Sequence, residues 1–244
     1  MTKADSIGVP EFNQYAGDYD LMLANGLAVS GETKDYFARE RISWLNTRCR
    51  ELSLIPQDIR VMDFGCGTGD AAPLLLDGFR AQSIIGVDPS SSLVKRASQD
   101  YGSHRIRFTQ THEYLPQEEI DVVYCNGVFH HIPVAKRMMA MHYIWLSLRP
   151  GGYLAFWENN PWNPGTRYVM SRIPFDRDAV TLTSTEATRL LQSSGFHILR
   201  TDFLFIFPRA LSLFRWVEPY LAGYPLGGQY LVLARKSGGS SSHV

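Results

Sequence analysis

The sequence predicts an α/β protein in which helices flank a seven-stranded, mostly parallel sheet, and three observations carry that expectation. Between residues 59 and 158, short β-branched runs alternate with amphipathic stretches of helical length, the pattern of a parallel sheet wound by crossover helices. The first of these runs leads through closely spaced glycines into a helix. Two more β-rich runs follow near the end of the chain, enough to close a larger sheet.

Each element has its own signal. Residues 12–25 are rich in Tyr and Asp without a clean period, which suits an ordered lid or a plain surface arm. Residues 30–52 read as a long helix, with Phe37, Arg41, Leu45, Cys49 and Leu52 at three- and four-residue spacing. Strands are expected at 59–64, 83–87, 106–109, 122–125 and 153–158, with the clearest helices at 93–100 and 135–148. Pro150-Gly151-Gly152 stops the second helix and makes a turn. Thr183 and Glu186 form a capping box that opens a helix over 183–194, and Gly195 ends it. Strands at 196–207 and 229–235 bracket residues 208–228, where Leu211, Phe214, Trp216, Val217 and Leu221 line up as an apolar helical surface. The Gly- and Ser-rich residues 237–244 read as a disordered tail.

Composition bounds the function. A chain of 244 residues is long for one small domain and short for two, so one domain over 1–236 with cap insertions at 161–182 and 208–228 is expected. Lys+Arg and Asp+Glu number 24 each, and this balance supplies no electrostatic footprint for nucleic acid or an anionic membrane. No apolar run reaches the roughly 18 residues of a membrane span, and residues 1–10 lack the pattern of a secretory signal. Cys49, Cys66 and Cys125 are odd in number and widely spaced, as in reduced thiols of a cytoplasmic protein, and no metal site is expected.

The most informative stretch is Asp63-Phe64-Gly65-Cys66-Gly67-Thr68-Gly69-Asp70, which leaves a buried strand and enters a helix. Alternating glycines let the backbone turn tightly and approach a ligand with no Cβ in the way. Nineteen residues after Gly69 the second strand ends in Asp88, a carboxylate placed to accept from a ribose diol. A dehydrogenase spaces its glycines G-x-G-x-x-G and holds a pyrophosphate on the following helix. Here the spacing is G-x-G-x-G between two acids, which would repel a pyrophosphate and suit an ammonium or sulfonium.

On these residues the chain resembles the Rossmann-like, S-adenosylmethionine-dependent methyltransferases. Their first motif looks like residues 63–69 and their ribose acid looks like Asp88. The resemblance continues through a fourth-strand motif at 121–131 and Leu148-Arg149-Pro150-Gly151-Gly152-Tyr153-Leu154 before the fifth strand. It covers about residues 12–158 and the two closing strands, and is nearest to small-molecule enzymes of bacterial biosynthesis. The resemblance implies that Asp63, Gly65, Cys66, Gly67 and Gly69 surround the methionine part of the cofactor. Asp88, followed by Pro89, would hold the ribose, and the backbone of Asn126 and Gly127 would meet the methionine moiety. The family often carries an acid near the adenine; here either His112 or Glu113 stands in that stretch. Tyr15, with Tyr19, would close over the cofactor as part of a lid, and Arg41 is available for its carboxylate.

Methyl transfer is an in-line displacement that needs the acceptor atom about 3–3.5 Å from the methyl carbon and water excluded. A general base assists when the acceptor is a hydroxyl or a protonated amine. His130 and His131 follow the fourth strand and Glu158 ends the fifth, which makes these three the candidate catalytic side chains; packing, capping and strand-end roles compete for each. Asn160-Pro161-Trp162 looks like a planar-nitrogen clamp, but such a clamp belongs after the fourth strand and lacks its second proline here. The aromatics of the insertions, Trp162, Tyr168, Phe175, Phe214 and Trp216, suit either a partly apolar substrate or a packed cap. The expected activity is methyl transfer to O or N of a small-molecule acceptor by a monomer or homodimer. The rival readings are a nicotinamide-dependent oxidoreductase and a protein that binds S-adenosylmethionine without methylating.

Overall fold

The computed structural model describes residues 19–52, 58–177 and 179–237. Tyr15, residues 12–18 of the expected lid and the tail beyond residue 237 lie outside the described residues. Two helices lead the chain, α1 (Tyr19–Leu27) and α2 (Lys34–Glu51), the second capped by Thr33 accepting from the Tyr36 amide. The core then runs β1 (Arg60–Phe64), α3 (Ala71–Phe79), β2 (Ser83–Asp88), α4 (Ser91–Tyr101), β3 (Ile106–Gln110), β4 (Ile120–Asn126), α5 (Val134–Ser147) and β5 (Leu148–Asn159). It closes with α6 (Pro164–Arg172), α7 (Ser184–Ser193), β6 (Phe196–Leu204), α8 (Glu218–Leu221) and β7 (Gln229–Lys236).

The seven strands form one sheet in the order β3-β2-β1-β4-β5-β7-β6, parallel except where β7 runs antiparallel to both β5 and β6. Strand side chains alternate between two buried faces. Val61, Val122, Tyr124, Ala155 and Trp157 pack on one side with Ile42, Leu45 and Leu75, while Met62, Phe64, Val123, Cys125 and Phe156 pack on the other with Met141, Ile144 and Leu191. Both faces being covered explains the near-continuous apolar runs that made the strands legible. The order winds outward from β1 through β2 to β3, then returns to place β4 on β1's other side. That reversal opens a crevice at the carboxyl ends of β1 and β4, where ligands of such sheets bind.

Two expectations change in detail. Residues 208–228 carry the expected apolar spacing, but Pro208, Pro219, Gly223 and Pro225 break it, leaving 3-10 turns over Arg209–Val217 and the short α8. Pro150-Gly151-Gly152 lies inside β5, where the register with β4 shifts between Ile120 and Val122 and Gly151 takes φ +76°. The capping box of Thr183 and Glu186 is present as read.

Candidate active site

The glycine turn is built onto the end of β2. The amides of Gly65 and Cys66 both donate to the Val87 carbonyl, at 2.8 and 3.2 Å, so the turn is tied to the strand that delivers Asp88. Gly65 takes φ +75°, and a Cβ there would stand 2.4 Å from a Val128 methyl. Gly67 takes φ +52°, and its Cβ would enter open space with nothing within 4 Å. One glycine is therefore demanded by the fold, and the other leaves room for something outside it.

Asp88 is held on both oxygens: Gly67 donates its amide to Oδ2 at 3.0 Å and Ser90 to Oδ1 at 2.9 Å. Burial nevertheless pushes its carboxyl up to about 6, the two amides pulling the other way. Asp63 goes further, to about 7, from burial first and then from Asp88 and Asp70, with Arg41 opposing. Asp70, expected to share the cationic-ligand role, is already committed. It accepts from Lys34, Thr68 and Tyr101, and those contacts hold its carboxyl below the usual range against burial. Asp63 Oδ2 and Asn126 Oδ1 remain buried without a hydrogen-bond partner among the described residues. Two unpaired acceptors beside an open glycine fit a ligand that brings ammonium and hydroxyl donors, as S-adenosylmethionine does.

In the stretch expected to meet the adenine, Glu113 turns back to accept from the Thr109 hydroxyl and the Gln110 amide, and His112 is exposed. Gln110 reaches the Pro89 carbonyl at 3.2 Å. Arg41 is buried, donating to the Tyr124 hydroxyl at 3.1 Å and to Gln229 at 2.8 Å.

Beyond β4 the chain makes a 3-10 turn over Phe129–His131 that delivers both histidines. Glu158, 1% exposed at the end of β5, accepts from the Phe129 amide at 2.7 Å and from His130 Nδ1 at 2.6 Å. A second 3-10 turn, Pro174–Asp176, brings in Asp176, which spacing did not single out. Its Oδ1 lies 3.5 Å from His130 Nε2 and 3.2 Å from His131 Nε2. Burial alone would lower His130, but Glu158 and Asp176 together raise it to about 10. His131 is pushed down by burial and by its neighbour's charge, while Asp176, despite burial, falls to about 2 under the two imidazoles.

A cavity of about 380 Å³ joins these parts. It runs from Asn126 and Gly127 past His130, His131 and Asp176 to walls from α1, α6 and residues 205–208. Leu23, Leu27, Val169, Met170, Phe175 and Phe205 make those walls apolar. Of the five insertion aromatics, Phe175 alone lines it; Trp162 and Trp216 are each 71% exposed. Glu158 does not line it and acts from behind His130. Asn160 is fully buried and donates to the Pro225 and Gly227 carbonyls, so the clamp-like Asn-Pro-Trp is a structural tie.

Residues 61–152 match the family model described as a methyltransferase domain. A trans-aconitate 2-methyltransferase of Rhodopseudomonas palustris (strain BisB18) is 27% identical over 147 residues, 58% of this chain and 57% of that one. The chain spans 39% to 57% of the length of such curated relatives. Among solved structures, a possible histamine N-methyltransferase from Thermotoga maritima superimposes with TM-score 0.63 at 20% identity, covering 93% of this chain and 98% of that one. The [4+2]-cyclase SpnF gives TM-score 0.63 at 19% identity, covering 96% and 100%, so the fold by itself does not fix the chemistry. The chain has the Rossmann-like fold of these solved structures, and its residues 61–152 match a methyltransferase domain. The Thermotoga maritima protein and a neighbour from Mesorhizobium loti are both described as S-adenosylmethionine-dependent methyltransferases. Among the described residues no helix is long and apolar enough to cross a membrane.

Proposed function

We propose that the chain transfers a methyl group to an O or N atom of a small, partly apolar acceptor in the cytoplasm of a bacterium, in a biosynthetic pathway. The observation that carries this reading is the cavity linking Asn126 and Gly127 to His130, His131 and Asp176 under apolar walls. S-adenosylmethionine, when bound, supplies a methyl group activated on a sulfonium. Asp63, Gly65, Cys66, Gly67, Gly69, Asn126 and Gly127 surround its methionine part, Asp88 and Pro89 the ribose, and the stretch with His112 and Glu113 the adenine edge. Tyr15 belongs to the segment that would close over it.

The chain's own work is to orient the acceptor, exclude water and receive a proton. The apolar walls exclude water. His131, the more open of the two imidazoles, faces the acceptor, while His130 is fixed by Glu158 and completes the polar floor. Glu158 is thus a positioning residue. The cavity cations are already engaged, Lys34 with Asp70, Arg41 with Gln229 and Arg215 with Glu32. With so many apolar walls, this favours an acceptor less charged than a tricarboxylate.

The test is transfer of labelled methyl from S-adenosylmethionine to a panel of hydroxy, phenolic, amino and monocarboxylic compounds with apolar bodies. His131→Ala is expected to lower kcat by about 100-fold or more while leaving cofactor Kd unchanged. Tight cofactor binding with no transfer across the panel would favour the non-methylating reading instead.

A further inference from the structure

We propose that His130, His131 and Asp176 form a divalent-metal site, best suited to Zn²⁺, on the floor of the acceptor cavity. Each residue offers one ligand atom, and the three atoms lie within 4.8 Å of one another. Zinc bound at about 2.0–2.1 Å by tetrahedral ligands sets those ligands about 3.3 Å apart. The separations from Asp176 Oδ1, 3.5 Å to His130 Nε2 and 3.2 Å to His131 Nε2, bracket that edge.

Three further observations agree. Asp176 is 8% exposed, and its Oδ1 makes no aligned hydrogen bond among the described residues although both imidazoles stand close. His130 Nδ1 is held by Glu158 at 2.6 Å, the carboxylate behind a ligating histidine that fixes its tautomer and frees Nε2 for the metal. The histidine turn is also fastened to the segment that follows Asp176, since the Val180 amide donates to the His130 carbonyl at 3.0 Å and Arg137 reaches the carbonyls of Phe129, Ile132 and Val180. Two imidazoles and one carboxylate match zinc better than magnesium or calcium, which prefer all-oxygen sets.

All three ligands line the cavity, so the fourth position faces the acceptor. Its occupant would be an acceptor oxygen, from a hydroxyl or a carboxylate, and with metal bound His131 would serve as a ligand in place of the proton-accepting role proposed for it. This last step rests on the methyltransferase reading, whereas metal uptake does not.

The experiment uses the full chain, stripped with a chelator and exposed to Zn²⁺ alone or Co²⁺ alone with no cofactor present. We expect one metal per chain after desalting, the intense visible absorption of four-coordinate Co²⁺, and a Tm that rises with free Zn²⁺ by mass action. His131→Ala and Asp176→Asn should abolish uptake, and Glu158→Gln should weaken it by about 10- to 100-fold. Uptake well below one equivalent, a weak six-coordinate Co²⁺ spectrum, or uptake unaltered in the two ligand variants would overturn the site. Where a variant fails to fold, the wild-type Co²⁺ spectrum and Zn²⁺-dependent Tm decide alone. Zinc uptake without S-adenosylmethionine binding would sink the functional reading and leave the metal site standing; the reverse result would do the opposite.

Discussion

At the scale of single residues, the proposed cofactor half of the site rests on three acids with three fates. Asp70 is neutralised by Lys34, Asp88 is oriented by two amides, and Asp63 is left buried with an unpartnered oxygen. Asp88→Ala removes the proposed acceptor for the ribose hydroxyls and also releases the Gly67 amide. Charge-assisted hydrogen bonds contribute about 1.5–3 kcal/mol each, so affinity for S-adenosylmethionine should fall by about 100-fold or more. Calorimetry on a variant shown to be folded checks this; unchanged affinity would remove Asp88 from the ribose. Asp88 and the glycines were legible because strand, turn, helix and second strand end come in fixed order along the chain. Asp176 was not, because it lies in an insertion with no period and meets the histidines only through tertiary packing. Lys34, too, reaches Asp70 from 36 positions earlier in the chain, a distance no local pattern spans.

At the scale of elements, the long helix α2 is docked on the sheet edge by one buried carboxylate. Asp202 of β6, 1% exposed, accepts from Trp44 and Arg48 of α2 at 2.9 Å each and from Arg200 at 2.5 Å. Arg48 also stacks on the Trp44 ring at 4.1 Å. Asp202→Ala would leave the Arg48 guanidinium buried without its partner, which typically costs about 3–5 kcal/mol. Chemical denaturation should show a midpoint shift of that size with little change in slope; a loss below about 1 kcal/mol would mean that Arg48 simply turns to Glu51 and water. The helix itself was readable from its spacing, but its anchor was not, since β6 arrives more than 140 positions later. Residues 208–228 show the opposite failure, where apolar spacing promised a helix and proline and glycine chemistry cut it into turns.

At the scale of the whole molecule, the sheet's reversal between β1 and β4 brings acids, glycines and histidines to one edge, and the chain bears the cost of burying Asp63 and Asp88. Both groups titrate near 3.8 when unfolded and at about 7 and about 6 when folded, so between these values the folded chain binds more protons. Their contribution to stability is complete below pH 3.8 and is lost as pH rises through 6 and 7. Asp63 faces Asp88, Asp70 and Arg41, with the Tyr124 hydroxyl and the Cys66 and Cys125 thiols close by, and only Arg41 among these opposes the shift. A cation-bearing cofactor favours the ionised forms, so its affinity should fall on the order of 100-fold from pH 7.5 to 5, and the Tm gain it confers should shrink in parallel. Equal gains at both pH values would show that Asp63 does not meet the cofactor. The central claim is tested most directly by calorimetric titration of the chain with S-adenosylmethionine, S-adenosylhomocysteine and NADH side by side. Saturable binding of the first two without an NADH signal is the predicted result, and binding of NADH alone would contradict the reading of residues 63–70 and the roles built upon it.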